Sequence, residues 1–363
     1  MYMIDSAIFF DFLQYCIGAS SSVPSSLKSA DWHAIYAVAK KQALVGVLFH
    51  GIEKLPRELA PEPDLLMQWI GQAQMIRRRN MVMNRQSAKV YVAIRAKGYR
   101  GCILKGQGNA LMYPDAYMRT SGDVDVWMME DRDKVRKMAQ VLSDSGRLDG
   151  REIYKHVEVT MDGISVELHP VPATLNNPVY DRRLRKWFQR NGDLQSSNVV
   201  RLPDEAGEMA VPTGAFNAVY QLCHLYHHYL YEGIGLRQFV DYYYVVKGLN
   251  TDCAALRREL KRLGLRKFAG AVMYVLHEAL GMQEAQMVVP MDENRGRLLL
   301  DEIMQGGNFG YHAAKNHSGS MTWRHNLYRL QKDWKLMRYY PGECLAEPFY
   351  RLWHFLWRMW NKG

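Results

Sequence analysis

The segment Asp123-Val124-Asp125-Val126-Trp127 constrains this chain more than any other, because it sets two carboxylates two residues apart inside an apolar run. Residues i and i+2 of a β-strand leave the same face, so Asp123 and Asp125 point together while Val124 and Val126 point into a core. Valine flanking the acids argues for a strand over a turn. The two Cα atoms would lie roughly 6.5 Å apart, a span that lets carboxylate oxygens bracket divalent cations about 3.5 to 4 Å apart. A third acid is then expected nearby.

The chain supplies one. Tyr154 to Met161 is rich in β-formers, Asp162-Gly163 is a two-residue hairpin signal, and Ile164 to His169 is a second strand ended by Pro170. In that strand Ser165, Glu167 and His169 share one face, opposite Ile164, Val166 and Leu168. Glu167 is the natural third ligand, and Asp123, Asp125 and Glu167 form the expected metal set.

The ordered set Leu104-Lys105-Gly106, Tyr113-Pro114, Arg119, Asp123 to Val126 and Val166 to His169 resembles the nucleotidyltransferase fold superfamily of the DNA polymerase β type. It is most similar to an uncharacterised bacterial branch with LKG, R, DxD and ELH motifs, over about residues 98 to 170. The resemblance implies Mg²⁺ (or Mn²⁺) held by Asp123, Asp125 and Glu167, with an acceptor hydroxyl or phosphate attacking the α-phosphorus of a nucleoside triphosphate and releasing pyrophosphate. Lys105, Gly106 and the amides opening a helix at Gln107 would cradle the triphosphate, and Arg119 would be a phosphate-binding or supporting cation. His169 shares the acids' face and joins the nucleotide-binding set. Gly233 to Asp241 also resembles this branch, and Arg237 there could reach a phosphate or pair with Asp241 one turn on. One departure stands out: Lys105-Gly106-Gln107 occupies the turn where many relatives carry Gly-Ser. Neither the base nor the acceptor (small molecule, RNA or protein) is readable. The competing reading is a catalytically inactive nucleotide-binding or nucleic-acid-binding regulatory module.

Each feature also has a plainer explanation. A lone Asp-x-Asp is common on surface strands, Glu167 alone could be solvated, and a single His169 is more often a cap or core residue than a ligand. Arg78, Arg85 and Lys89 fall on one side of a long helix expected over Asp64 to Lys97, as a phosphate-attracting stripe or a solvated basic face. His224 and His228 have the i, i+4 spacing of a metalloprotease helix, but Leu225 stands where the general-base Glu would be. They are expected to line the active-site side of their helix or to be hydrogen-bonded core residues.

The frame is a folded chain of 363 residues, 48% hydrophobic, long enough for two or three packed units. Five scattered cysteines fit reduced thiols, and the N-terminus lacks a signal-peptide pattern, so a cytoplasmic location is expected. No run is long and apolar enough to span a membrane. The pattern predicts an α+β protein: a small mixed β-sheet nucleotidyltransferase core (98–205) between an N-terminal helical region (1–97) and a C-terminal helical domain with an aromatic, basic tail (206–363). N-terminal helices are expected over Ser6 to Ile17, Ala30 to Ala43 and Leu44 to Leu55. Strand Gly101 to Leu104, short helix Gln107 to Met112 and polar helix Asp131 to Ser145 build the core, with a further strand at Asn198 to Leu202. Helices are then expected over Thr213 to Tyr231, Leu236 to Gly248, Asp252 to Leu263 and Lys267 to Leu280. Phe349, Trp353, Trp357 and Trp360 recur on one face of a terminal helix from Glu347. Packing or an oligomer contact is expected there, with peripheral membrane attachment through Arg351 and Arg358 as the alternative.

Overall fold

Apolar spacing sets the N-terminal helices α1 (Ser6–Cys16), α2 (Trp32–Lys41) and α3 (Val45–Ile52). Asp31 caps α2 by accepting the Ala34 amide at 2.9 Å, which satisfies one of the donors a helix start leaves open. The long helix α4 (Pro63–Ala96) opens with proline and with Asp64 in its first turn, both favourable at that end. Next come β1 (Gly101–Leu104), α5 (Gly106–Ala110), β2 (Val124–Met128), α6 (Arg132–Leu142), β3 (Val157–Met161) and β4 (Ile164–His169). They are followed by α7 (Pro178–Ser197), β5 (Val199–Arg201) and β6 (Glu208–Ala210). Helices α8 (Gly214–His227), α9 (Leu236–Lys247), α10 (Cys253–Arg262), α11 (Arg266–Glu278), α12 (Glu293–Gly306) and α13 (Pro341–Asn361) complete the chain. The computed structural model describes residues 6–148, 152, 154–307 and 334–361, without the side chains of residues 358, 360 and 361.

This is an α+β fold with a four-stranded mixed sheet in the order β1-β2-β4-β3 and a separate β5-β6 pair. β2 runs parallel to β4, and the two outer pairings are antiparallel. Asp162 and Gly163 both take positive φ, 50° and 71°, making the tight hairpin turn between β3 and β4. Period-2 alternation divides the sheet. Val124, Val126, Met128, Val157, Val159, Val166 and Leu168 pack with residues of α4 and α6 in one core. On the opposite face Trp127 stacks on Phe216 at 5.4 Å and 13°, joining the sheet to a larger core that includes α1, α3, α7, α8, α9 and α11. Such pairs add about 0.5–1.5 kcal/mol beyond their burial. That face also carries Asp125, Glu167 and His169.

Four differences from the sequence expectation matter. β2 begins at Val124, so Asp123 stands just before the strand and not within it. Helices α7 and α12 and strand β6 lie where no element was expected. The terminal helix starts six residues earlier than Glu347 and carries Pro348 inside it. Its inward side is not the aromatic stripe: Glu343, Cys344 and Glu347 are buried, while Phe349 is 77% exposed. Trp353 and Trp357 instead meet Tyr154 edge-on at 4.5 and 5.6 Å. The buried side is polar because the Glu343 carboxylate accepts the Asn176 and Asn177 amides at 2.7 and 3.3 Å, ahead of α7. The side chains of Arg358 and Trp360 lie outside the described residues.

Candidate active site

Parallel pairing of β2 with β4 sets Asp125 directly across from Glu167 and Trp127 across from His169. Asp123, just ahead of β2, brings a third carboxylate to the same place, and one oxygen from each of Asp123, Asp125 and Glu167 lies within 4.8 Å of the others. Register in one sheet thus joins acids 42 positions apart in sequence, Asp125 and Glu167.

The turn between β1 and α5 delivers Lys105. Its backbone sits at φ 49° and ψ −135°, a strained conformation for a residue with a Cβ, and Gly106 follows at φ 47°. Strain of this kind costs on the order of 1–3 kcal/mol and gathers at functional sites. The departure from Gly-Ser therefore falls where the backbone would favour glycine. The strained turn aims the Lys105 ammonium at Asp125 Oδ2, 2.9 Å away, and at His224 Nε2, 3.2 Å away. On the other side, His169 Nε2 lies 3.1 Å from Asp125 Oδ1 and 3.3 Å from Glu167 Oε2.

Electrostatics at this cluster are strongly coupled. Burial alone would raise the Asp125 carboxyl, but Lys105 and His169 overcome it and hold Asp125 below the usual carboxylate range. The neighbouring Asp125 charge, with burial, pushes Asp123 up to about 6. Burial opposes the charge on His169, yet its contacts with Asp125 and Glu167 raise it to about 9. Lys105 is likewise raised by Asp125 against the pull of burial. Asp125 therefore keeps its charge through its two cationic partners, and Asp123 is the carboxylate that the crowding of charge disfavours.

A cavity of about 810 Å³ covers this cluster, within the range of small-molecule sites. Asp123, Asp125, Glu167, Lys105, Gly106, Arg119, His169 and Arg237 all line it. Gln107 does not: its side chain is buried and donates to Asn84, so the site can use no more than its backbone. Arg119 gives two bonds to Asp241, at 2.7 and 2.8 Å, and Tyr113 donates to the same carboxylate at 2.6 Å. Asp241 is thus committed to a partner 122 positions away, and Arg237 donates to the Thr120 carbonyl at 2.8 Å. The basic stripe stands apart. Arg78, Arg85 and Lys89 are exposed, Lys89 pairs with Asp162 at 2.9 Å, and none of the three lines the cavity.

The α8 wall holds what the sequence left open. His224, His227 and His228 all line the cavity, and α8 gives way to a π-helical turn over His228–Glu232, a distortion frequent at functional sites. His228 Nε2 lies 2.8 Å from His224 Nε2, and Glu232 reaches His228 and His227 at 2.8 and 3.3 Å. Burial, with Lys105 nearby, holds His224 well below the ordinary histidine range. The sequence reading passed over Lys155, whose ammonium is 2.8 Å from His227 Nε2 and which burial lowers to about 8. It also passed over His156, 3.0 Å from Glu167 Oε2. The alternation of His156 and Glu158 with Val157 and Val159 was the available signal for His156. Tyr350, Arg351 and His354 of α13 close the far side.

Three carboxylates offering hard oxygen donors, with Asp123 pushed up by its neighbour's charge, fit a Mg²⁺- or Mn²⁺-type cation. A family model described as uncharacterised nucleotidyltransferase matches residues 28–281, which takes in the whole four-stranded sheet and the α8 wall but stops before α12 and α13. No curated protein and no solved structure matches the chain significantly.

Proposed function

Since this chain belongs to the uncharacterised nucleotidyltransferase family, we propose that it moves a nucleoside monophosphate from a triphosphate to an acceptor, with release of pyrophosphate. The observation that carries the reading is the register that sets Asp125 against Glu167, with Asp123 beside them, on the wall of a small-molecule-sized cavity. Asp123, Asp125 and Glu167 would hold the divalent ions, which when bound neutralise phosphate charge and favour deprotonation of the attacking group. Lys105, freed from Asp125 once a cation takes that carboxylate, would turn its ammonium to the β- or γ-phosphate. Gly106 leaves the turn open, since a Cβ there would meet the Asp123 carbonyl only at 4.0 Å. Arg119 is held rigid by Asp241 and serves as a fixed positive charge on the cavity wall. Arg237 stands beside it, tied to Thr120.

The test is a screen of the four labelled triphosphates, with Mg²⁺ or Mn²⁺, against small-molecule, RNA and protein acceptors, read by pyrophosphate release and by label on the acceptor. Transfer by the wild type and none by Asp125→Ala is expected; transfer retained in Asp125→Ala would overturn the assignment. One observation favours a second reading. Both Asp125 oxygens already face cationic side chains, as they would in a nucleotide-binding module that has given up metal. Calorimetry separates the two, because such a module would bind nucleotide with no gain on adding Mg²⁺.

A further inference from the structure

We propose that His156, Glu167 and His169 form a second cation site, for a first-row transition-metal ion of the Mn²⁺-to-Zn²⁺ series, sharing Glu167 with the three acids. One ligand atom from each residue lies within 4.8 Å of the others. The placement follows from the hairpin. Val157 pairs with Leu168, so extending the antiparallel register by one residue sets His156 opposite His169. Glu167, two residues before His169, leaves β4 on the same face.

The His156 and His169 rings stand 5.2 Å apart at 72°, and both address the same carboxylate oxygen, Glu167 Oε2, from 3.0 and 3.3 Å. All three residues line the cavity, so an ion can reach them. Two imidazoles and one carboxylate are a donor set that Mg²⁺ and Ca²⁺ disfavour and that transition ions of borderline softness prefer. The three donors leave coordination positions for water or a ligand in the cavity. Glu167 would then bridge two unlike sites, oxygen-only on the Asp123 and Asp125 side and imidazole-rich on the His156 side.

Co²⁺ is the probe, because its visible absorption is far stronger in a protein site of low coordination number than in the aquo ion, and the His156 substitution tests whether an imidazole supplies that site. The metal-stripped full-length chain, titrated with Co²⁺ in excess Mg²⁺, should bind one Co²⁺ per chain with an intense visible band. His156→Ala should weaken that binding by more than the ~10–100-fold typical of losing an outer partner of a ligand. Asp123→Asn removes a nearby charge but no imidazole, so it should keep the band and cost far less affinity than His156→Ala. Should His156→Ala fail to fold by circular dichroism, His156→Gln replaces it, since Gln can still bond Glu167 but supplies no imidazole. Three results would overturn the proposal: no saturable Co²⁺ binding, binding unaffected by the His156 substitution, or binding lost in Asp123→Asn. Because the readout is metal occupancy, a chain that transfers no nucleotide could still meet it. A chain with an active acid site could equally fail it.

Discussion

Asp125 divides its two oxygens between Lys105 and His169, and this division shapes what single substitutions should do. Asp123, Asp125 and Glu167 are expected to act as one unit, so replacing any of them by Ala should cost transfer on the order of 10³-fold or more. Double replacements should cost little beyond the first, which a rate comparison of single and double variants will read. Lys105 serves both the acids and the proposed phosphate grip. Lys105→Ala removes one of two cationic partners of buried Asp125, which keeps His169, so it should cost less than the ~3–5 kcal/mol of a buried charge left alone, lowering Tm while raising the nucleotide KM. Lys105→Arg keeps a cation and should raise KM less. An unchanged KM in Lys105→Ala would mean that the phosphates bind away from this turn. Asp125, Glu167 and Lys105 were legible in the sequence because each lies in a local pattern, a strand face or a turn before a helix; Asp123 was read with them, although it stands one residue ahead of β2. Lys155 carries no local signal, and for His156 alternation gives the face it shares with Glu158 but not what that face meets. Their roles come from β4 and α8, contributed elsewhere in the chain.

At the scale of elements, Arg119 and Asp241 join the loop ahead of β2 to α9, with the Tyr113 hydroxyl as third partner. Helical spacing can pair Asp241 with Arg237 one turn away, but it cannot show a guanidinium 122 positions earlier. Asp241→Asn would leave Arg119 buried without its carboxylate, so a stability loss of about 3–5 kcal/mol is expected by denaturant titration. Replacing Arg119 and Asp241 together by Met and Leu should recover much of that stability while still impairing nucleotide binding. Equal loss of stability in the single and double variants would show that the site tolerates no apolar substitute. The strands bearing Asp125 and Glu167 followed from alternation. Helix α7 was missed although Asn177 caps it and Pro178 opens it, because polar residues crowd its exposed side and dilute the apolar rhythm. The short β6 carries too few residues to show alternation, and it becomes a strand by pairing with β5.

The whole molecule lines its cavity with residues of α13, a helix outside the family-matched residues. No helix among the described residues is long and apolar enough to cross a membrane. Truncation after Pro348 removes Tyr350, Arg351 and His354 from the cavity and the Trp353 and Trp357 contacts with Tyr154. It should lower Tm; equal stability, with only the full chain sedimenting on anionic liposomes, would identify the tail as an interfacial anchor. Docking of α13 rests on Glu343, whose buried carboxyl is pushed by desolvation from 4.5 up to about 7 despite the two amides it accepts. The folded chain therefore binds this proton more tightly than the unfolded chain does. The resulting stability is fully present below about pH 4.5, fades as pH rises toward 7 and is absent above it. Its upper limit is about 3 kcal/mol. Other carboxylates, Asp125 among them, lose stability as pH falls, so total stability against pH would mix opposing effects. Comparison with Glu343→Gln isolates the one wanted, because Gln imitates the protonated acid and can still accept an amide. At about pH 5 wild type and Glu343→Gln should be nearly equal in stability, and at about pH 8 the variant should be the more stable, by up to ~3 kcal/mol. A difference that does not change with pH would place the titration elsewhere and leave Glu343 holding α13 only as an acceptor of the Asn176 and Asn177 amides.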